Sequence, residues 1–318
     1  MLIAGPNLTI DRTLTIPALR PGEVLRFDDV AVTPGGKGVN VARVAQALGA
    51  PALLVGFTPG HTGEACARML ADEGVALRAV PASGELRSTA VVLEHGGRVT
   101  VFNEPGPRID DGDWARYVAA VADALAGHRV LACSGSAPPG TPPGAYAELA
   151  ALARSRGVVA IVDATGPLLA EAVAGGAELV TPNLGEAESL LHGRADEAVE
   201  HEDPAEARRR AAQAAAELRR RGAAAALVTA GSAGAALADG DGVVWHPAPR
   251  VPVRNPIGAG DSVVGGLAVA LERGTTLRAA VAAGLATGAA SVETAKAGAI
   301  DPARAAELAE TAAAPEAL

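Results

Sequence analysis

Short, wholly apolar runs alternate along this chain with longer stretches in which small and apolar residues recur at helical spacing. Leu2–Ala4, Ala52–Phe57, Val130–Cys133, Val158–Val162, Leu179–Thr181 and Ala224–Thr229 have the length and composition of strands buried on both faces. Between them, Val39–Leu48, Gly63–Asp72, Trp114–Ala126, Gly144–Ser155 and Pro204–Arg221 read as helices. The last is clearly punctuated, with Asp203 as N-cap, Pro204 at the first helical position and arginines in the final turn. Repeated strand-then-helix order predicts an α/β fold: a doubly wound, mostly parallel sheet flanked by helices on both faces. Two stretches break the rhythm, at about 8–32 and 86–103. In the second, TAVVLEHGGRVTVF alternates with period two around His95-Gly96-Gly97, the pattern of a hairpin. The expectation is that both stretches are inserted strands, which pair with one another into a small β-sheet lid over the edge of the main domain. From Ala259 onward the pattern is nearly all helical, and the final TAAAPEAL is expected to fray.

Composition narrows the function classes. With 49% hydrophobic and 20% charged residues, the 318-residue chain has enough apolar surface for a large core, which excludes disorder for the whole. Only 2% of residues are aromatic while 38 are glycine, so the core must be Ala, Val and Leu at close backbone spacing. A net charge of -9 and so few aromatic rings offer neither a phosphate-binding surface nor a stacking platform for bases, so no nucleic-acid partner is expected. Cys66 and Cys133 make no disulfide framework. The opening MLIAGPNLTI lacks the basic region of a signal peptide, and the uncharged run Gly222–Ala238 is broken by Gly, Ser and Thr. These features lead to an expectation of a cytoplasmic location and no membrane partner. The six histidines show no HxH or HExxH spacing that would point to zinc.

Two glycine-rich turns carry the candidate chemistry. In Asn255-Pro-Ile-Gly-Ala-Gly-Asp-Ser-Val-Val-Gly-Gly, Gly258, Ala259 and Gly260 lead straight into an apolar helical run. Bare amides at a helix start, with the dipole behind them, suit a phosphoryl group. Asp261 at the rim is poorly suited to binding an anion but well suited to accepting a hydroxyl proton. An ordinary capping carboxylate is the other reading, and spacing alone leaves both open. The second turn, Thr33-Pro-Gly-Gly-Lys-Gly-Val-Asn-Val-Ala-Arg, is no Walker A loop, because Gly38 follows Lys37. Gly35 and Gly36 allow backbone to approach a polyol, and Asn40 both donates and accepts. Lys37 is one of two lysines beside twenty-five arginines, which hints at a compact point charge that a guanidinium could not replace.

Taken together, these residues resemble the PfkB (ribokinase-like) carbohydrate kinases. GGKGVNVARVAQALG and NPIGAGDSVVGG, about 220 residues apart, are similar to the two signatures of that family. Between and around them, in the family's order, stand Asp11, SGSAPPG at 134–140, Asp163-Ala-Thr-Gly, Pro182-Asn183-Leu184-Gly185-Glu186 and Thr229-Ala-Gly-Ser-Ala-Gly234. The resemblance spans nearly the whole chain and implies one ribokinase-like kinase domain over 1–318. PGEVLRF at 21–27 and NVARVAQALG place it nearest the 1-phosphofructokinase and tagatose-6-phosphate kinase branch.

The resemblance implies an ATP- and Mg2+-dependent phosphotransferase whose acceptor is a sugar phosphate, fructose 1-phosphate or a related ketohexose phosphate. The alternative is an unphosphorylated sugar or a nucleoside. Residue by residue, Asp261 would be the base, with Gly258, Ala259 and Gly260 as the anion hole. Asp11, Gly35, Gly36, Lys37, Asn40 and Ser136 would surround the acceptor, and Arg26 and Arg87, both in lid strands, would grip its phosphate. Taken singly, each arginine also reads as a solvated surface residue. Asn183 and Glu186 match the N-x-x-E element that organises magnesium through water, although Glu186 also reads as a first-turn helix carboxylate. Thr229, Gly231 and Gly234 would line the nucleotide groove. One departure stands out: Thr181 occupies the place before Pro-Asn where the branch usually carries lysine. Lys37 is the candidate to replace that charge by bridging donor and acceptor phosphates. A homodimer through the lid is a further expectation.

Overall fold

Strand β1 (Leu2–Ala4) shows how the chain builds two cores from one sheet. Leu2 and Ala4 enter one hydrophobic cluster and Ile3 enters the other, because alternate residues of a strand face opposite ways. The computed structural model of the protein describes residues 1–193, 203–294, 296 and 298–318. After β1 the strands run β2 (Thr9–Ile16), β3 (Val30–Gly35), β4 (Leu53–Phe57), β5 (Leu77–Val80), β6 (Ser88–Glu94), β7 (Val99–Asn103) and β8 (Val130–Ser134). They continue with β9 (Val159–Asp163), β10 (Leu179–Val180), β11 (Ala226–Thr229), β12 (Gly234–Asp239), β13 (Gly242–Pro247) and β14 (Glu316–Ala317). The helices are α1 (Lys37–Ala47), α2 (Gly60–Asp72), α3 (Asp111–Ala124), α4 (Ala145–Ser155), α5 (Gly166–Ala174) and α6 (Leu184–His192). After the undescribed residues 194–202 come α7 (Pro204–Arg220), α8 (Ala259–Glu272), α9 (Leu277–Val292) and α10 (Pro302–Glu310).

The main sheet has the order β14-β13-β12-β11-β10-β9-β8-β1-β4-β5. It is parallel from β5 to β11 and antiparallel beyond. Helices α3 to α7 cover one face and α1, α2, α8 and α9 the other, the doubly wound arrangement the alternation predicted. The chain reverses its direction of travel at β1, which has β4 on one side and β8 on the other. In an open α/β sheet the crevice outside the carboxyl ends of such strands is the usual place for a ligand.

A separate four-stranded sheet, β3-β2-β6-β7, stands apart. Its middle strands come from the two stretches that broke the rhythm, and β2 and β6 pair in parallel with Asp11 opposite Thr89. Register puts Arg12, Val32, Ala90 and Phe102 on the face opposite Asp11. Val32 and Phe102 are left 42% and 56% exposed there.

Some details were not anticipated. The tail does not fray: Glu316 and Ala317 pair with Trp245 and Val244, and Arg208 holds Glu316 at 2.5 Å while lying over the Trp245 ring. The open edge of β13 supplies the backbone partners that a free tail would lack. The β12–β13 hairpin was legible in the Asp239-Gly-Asp-Gly242 turn signal, which the run of small residues before it obscured. Among the described residues, no helix is long and apolar enough to cross a membrane.

Helix α8 is buried on every side from Asp261 to Ala270, wedged against the sheet, α1 and α9. Contact with α9 is close enough that a methyl on Gly266 would overlap the Thr287 side chain, which itself donates to the Ala283 carbonyl at 2.8 Å. Gly266→Val should therefore destabilise the protein by about 1–3 kcal/mol. Gly240→Ala, in an open turn with no atom within 4 Å of the added methyl, should change little. Denaturant melts of the two variants check the contrast.

Candidate active site

The first turns of three helices meet outside the carboxyl ends of β1, β8 and β9. Helix α1 begins at Gly36, whose φ of 105° only glycine adopts easily, and Lys37 and Asn40 occupy its first turn. Helix α6 begins at Asn183, and α8 begins at Gly258 with φ 82°. Lys37 Nζ reaches Asp163 Oδ2 at 3.2 Å and Glu186 Oε1 at 3.9 Å, while Asn40 Nδ2 donates to Asp261 Oδ2 at 2.8 Å. A cavity of about 240 Å³ opens beside them. Its lining includes Asn7, Gly36, Lys37, Arg87, Ser136 and Glu186.

Asp261 is the third residue of α8 and caps nothing: no side chain caps this helix, and the Asp261 carboxylate turns inward to Asn40. The capping reading left open by spacing therefore does not hold. Among the described residues no acceptor takes the amide hydrogens of Gly258, Gly260 and Asp261, whereas Ala259 donates to the Pro256 carbonyl at 3.3 Å. The bare amides thus differ from the expected set in one member, Asp261 taking the place of Ala259. Burial pushes the Asp261 carboxyl up to about 7, with Asp163 and Glu186 adding to the rise and Lys37 and Asn40 opposing it. Lys37 is held firmly protonated, chiefly by Asp163.

Asp11 lies on β2 with its carboxylate so close to Gly35 that any side chain at that position would overlap it. Burial raises the Asp11 carboxyl, and Arg87 works against the rise. Arg87 stands just before β6 rather than in a strand, with Nε, Nη1 and Nη2 donating to the carbonyls of Leu8, Glu104 and Asn7 at 3.1–3.3 Å. Arg26 is placed differently: it is exposed in the loop between β2 and β3, makes no hydrogen bond or ion pair with a described residue, and does not line the cavity. Ser136 lines the cavity and accepts from Asn7 Nδ2 at 3.0 Å.

Asn183 and Glu186 form a reciprocal capping box on α6, at 2.8 and 2.9 Å, so Glu186 is a first-turn helix carboxylate as well as a member of the charged cluster. Thr229 bridges to Asn183 at the end of β11, and Gly231 and Gly234 flank the short turn that follows. Thr181 is buried, its hydroxyl facing the Val162 carbonyl at 3.5 Å, and adds no charge. Sequence reasoning missed Asn7, which follows β1 at the reversal point, and the role of Asp163, whose motif was seen but whose pairing with Lys37 is a tertiary contact.

The shift at Asp261 has a stability consequence with a definite sign. Between the ordinary carboxyl value near 3.8 and the folded value of about 7, the folded protein binds the extra proton, so stability falls as pH rises through that window. Each unit of such a shift is worth about 1.4 kcal/mol. Asp261→Asn removes the penalty: at pH 8 the variant should melt above the parent, and by pH 4 the two should converge. Melting temperatures across that range check it.

Residues 7–304 match the pfkB family of carbohydrate kinases. Phosphofructokinase-2 from Escherichia coli superposes with a TM-score of 0.86 at 29% identity, covering 98% of each chain, in its structure with potassium. Its structure with fructose 6-phosphate gives 0.83 at 28%, again over 98% of each. A possible 1-phosphofructokinase from Thermotoga maritima gives 0.83 at 23% identity, over 100% of this chain and 99% of that one. Ribokinase from Arabidopsis thaliana, complexed with ribose and ATP, gives 0.75 at 21%, over 97% and 98%. The fold is thus ribokinase-like, and the chain belongs to the pfkB family of carbohydrate kinases, phosphotransferases that act on a hydroxyl.

Proposed function

We propose that this chain moves the γ-phosphoryl group of ATP to a primary hydroxyl of a ketohexose monophosphate. The observation that carries the reading is Asp261, a buried carboxylate at the head of α8 with unpaired amides beside it, held by Asn40 of the same helical turn as Lys37, which lines the cavity that extends to Arg87. The resemblance at 28% identity is to a phosphofructokinase-2 seen with fructose 6-phosphate, while that to the possible 1-phosphofructokinase is 23%. This moves the preferred acceptor from fructose 1-phosphate to fructose 6-phosphate.

In this reading Asp261 accepts the proton of the attacking hydroxyl as its oxygen bonds to the γ-phosphorus. The bond from that phosphorus to the bridging oxygen breaks, and ADP leaves with the electron pair. The amides of Gly258, Gly260 and Asp261 donate to the migrating group. Asp11, Gly35, Gly36, Asn40 and Ser136 hold sugar hydroxyls, and Arg87 holds the terminal phosphate with the donors its three carbonyl partners leave over. Thr229, Gly231 and Gly234 line the nucleotide side. Closure of the small sheet would exclude water.

The donor set around Glu186 fits magnesium held through water. Among the described residues no group of three acidic, thiol or imidazole side chains converges as an inner shell, and the capping box leaves Glu186 Oε1 facing Lys37. Asn183 and Glu186 would hold the ion's waters, and when bound it would neutralise charge on the β- and γ-phosphates. Lys37 supplies the fixed positive charge that Thr181 does not. The face that carries Val32, Ala90 and Phe102 beside Arg12 suits a second copy of the chain, and light scattering of Phe102→Lys should show the monomer where the parent is a dimer.

An acceptor panel with ATP and magnesium tests the reading: fructose 6-phosphate and fructose 1-phosphate against fructose, ribose and adenosine. Turnover should be confined to the phosphorylated sugars. Arg87→Ala should raise their KM at least tenfold. Lys37→Ala, in the same assay, should lower kcat far more than it lowers the melting temperature. Turnover of ribose or adenosine alone would replace this reading with that of a kinase for an unphosphorylated acceptor.

A further inference from the structure

Arg43 lies in the signature stretch after the glycine turn but does not line the cavity. It sits on α1, one turn beyond Asn40, and its side chain is only 12% exposed. Its donors are distributed over three elements. Nε and Nη2 grip the two oxygens of Glu73, after α2, at 2.7 and 2.9 Å, a bidentate pair. Nη2 also donates to the Pro34 carbonyl at 2.7 Å, directly ahead of Gly35 and Gly36. Nη1 donates to Asn40 Oδ1 at 3.4 Å. Glu73 is held in turn by Lys296 at 3.5 Å, and burial of its carboxyl is outweighed by the two cations, which keep it below the usual carboxylate range.

A primary amide has two ends, an oxygen that accepts and a nitrogen that donates, and a half-turn exchanges them. Asn40 Nδ2 must face Asp261 if the ionised carboxylate is to be met by a donor rather than by another oxygen. Arg43, which can only donate, fixes that choice by claiming the oxygen end. Gly298 closes the other side: a methyl there would press on Asn40 Cα and Oδ1. The same guanidinium ties down the carbonyl that precedes the turn beside Asp11.

We propose that Arg43, clamped by Glu73, is a positioning residue of the phosphoryl-transfer site: it aims the Asn40 amide at Asp261 and anchors the Pro34–Gly36 turn against which the acceptor sugar rests. The inference rests on the assignment of Asp261 as the base. Arg43 touches neither substrate, and its effect passes through Asn40 and through backbone.

The test is steady-state kinetics of the whole enzyme with fructose 6-phosphate from pH 5.5 to 9, on the parent, Arg43→Gln, Arg43→Lys and Glu73→Gln. The other charged groups that face Asp261, namely Lys37 from α1, Asp163 from β9 and Glu186 from α6, are the same in all four. Arg43→Gln should raise the acceptor KM several-fold while leaving the ATP KM within twofold. It should also move the acid limb of kcat/KM upward by about one pH unit, the lower end of the scale of one hydrogen bond to a charged group. Arg43→Lys keeps the charge but loses the fork, so a shift of the limb in that variant assigns the effect to amide orientation rather than to charge. Should Arg43→Gln fail to fold, Glu73→Gln, which loosens the clamp and leaves the arginine, should show the same pattern at smaller size. An unmoved limb with both KM values unchanged, or rising together, overturns the proposal. Asp261→Asn run alongside separates the two failures: if it turns over like the parent, the base assignment falls, and if it is inactive while the Arg43 variants behave as the parent, only Arg43 loses its role.

Discussion

Burying an ionisable carboxylate is unfavourable unless a cation and donors meet it, and the centre of this protein is arranged around one such group. Asp261 is 6% exposed, receives one hydrogen bond from Asn40, and shares the field of Lys37 with two further carboxylates, Asp163 and Glu186. Burial is the main cause that pushes the carboxyl up to about 7; Asp163 and Glu186 add to the rise, and the single Lys37 only partly opposes it. In the proposed reaction a carboxylate raised in this way is a stronger base than an ordinary one, which suits it to take the proton of the attacking alcohol during transfer. The fold tolerates this cost because the rest of α8 is apolar and tightly packed.

Convergence of three helix starts gives the cluster its second property. Dipoles of α1, α6 and α8 direct partial positive charge toward one space, and the unpaired amides at the head of α8 face the same way. Such a space favours a dense negative group but repels nothing polar and neutral, which suits phosphate at one end and sugar hydroxyls at the other. Helices approach so closely here because the residues between them are small. A chain with 2% aromatic residues and 38 glycines can bring backbone to backbone where bulkier cores would hold it apart.

Arg87 and Arg43 illustrate two uses of one side chain. Both spend donors on backbone carbonyls, so both are fixed before any ligand arrives. Arg87 borders the cavity with capacity left over, whereas Arg43 directs its donors toward Glu73, Pro34 and Asn40. Preorganisation of this kind lowers the ordering cost at binding and holds reacting groups in register.

Much of this was legible in the chain itself. Buried parallel strands declare themselves as short apolar runs, and Asp203-Pro204 announces α7, because these signals depend only on neighbours in sequence. The two glycine turns marked the starts of α1 and α8 for the same local reason. Tertiary structure decided what depends on residues far apart: that Asp261 faces Asn40 across 221 positions instead of capping its helix, that Lys37 meets Asp163 across 126, and that Arg26 lies outside the cavity while Arg87 borders it. Nor could sequence place the tail on β13, since an open sheet edge exists only once the sheet has formed. Local pattern fixes which way the backbone turns; burial and charge pairing, which set the chemistry, arise only when distant segments are brought together.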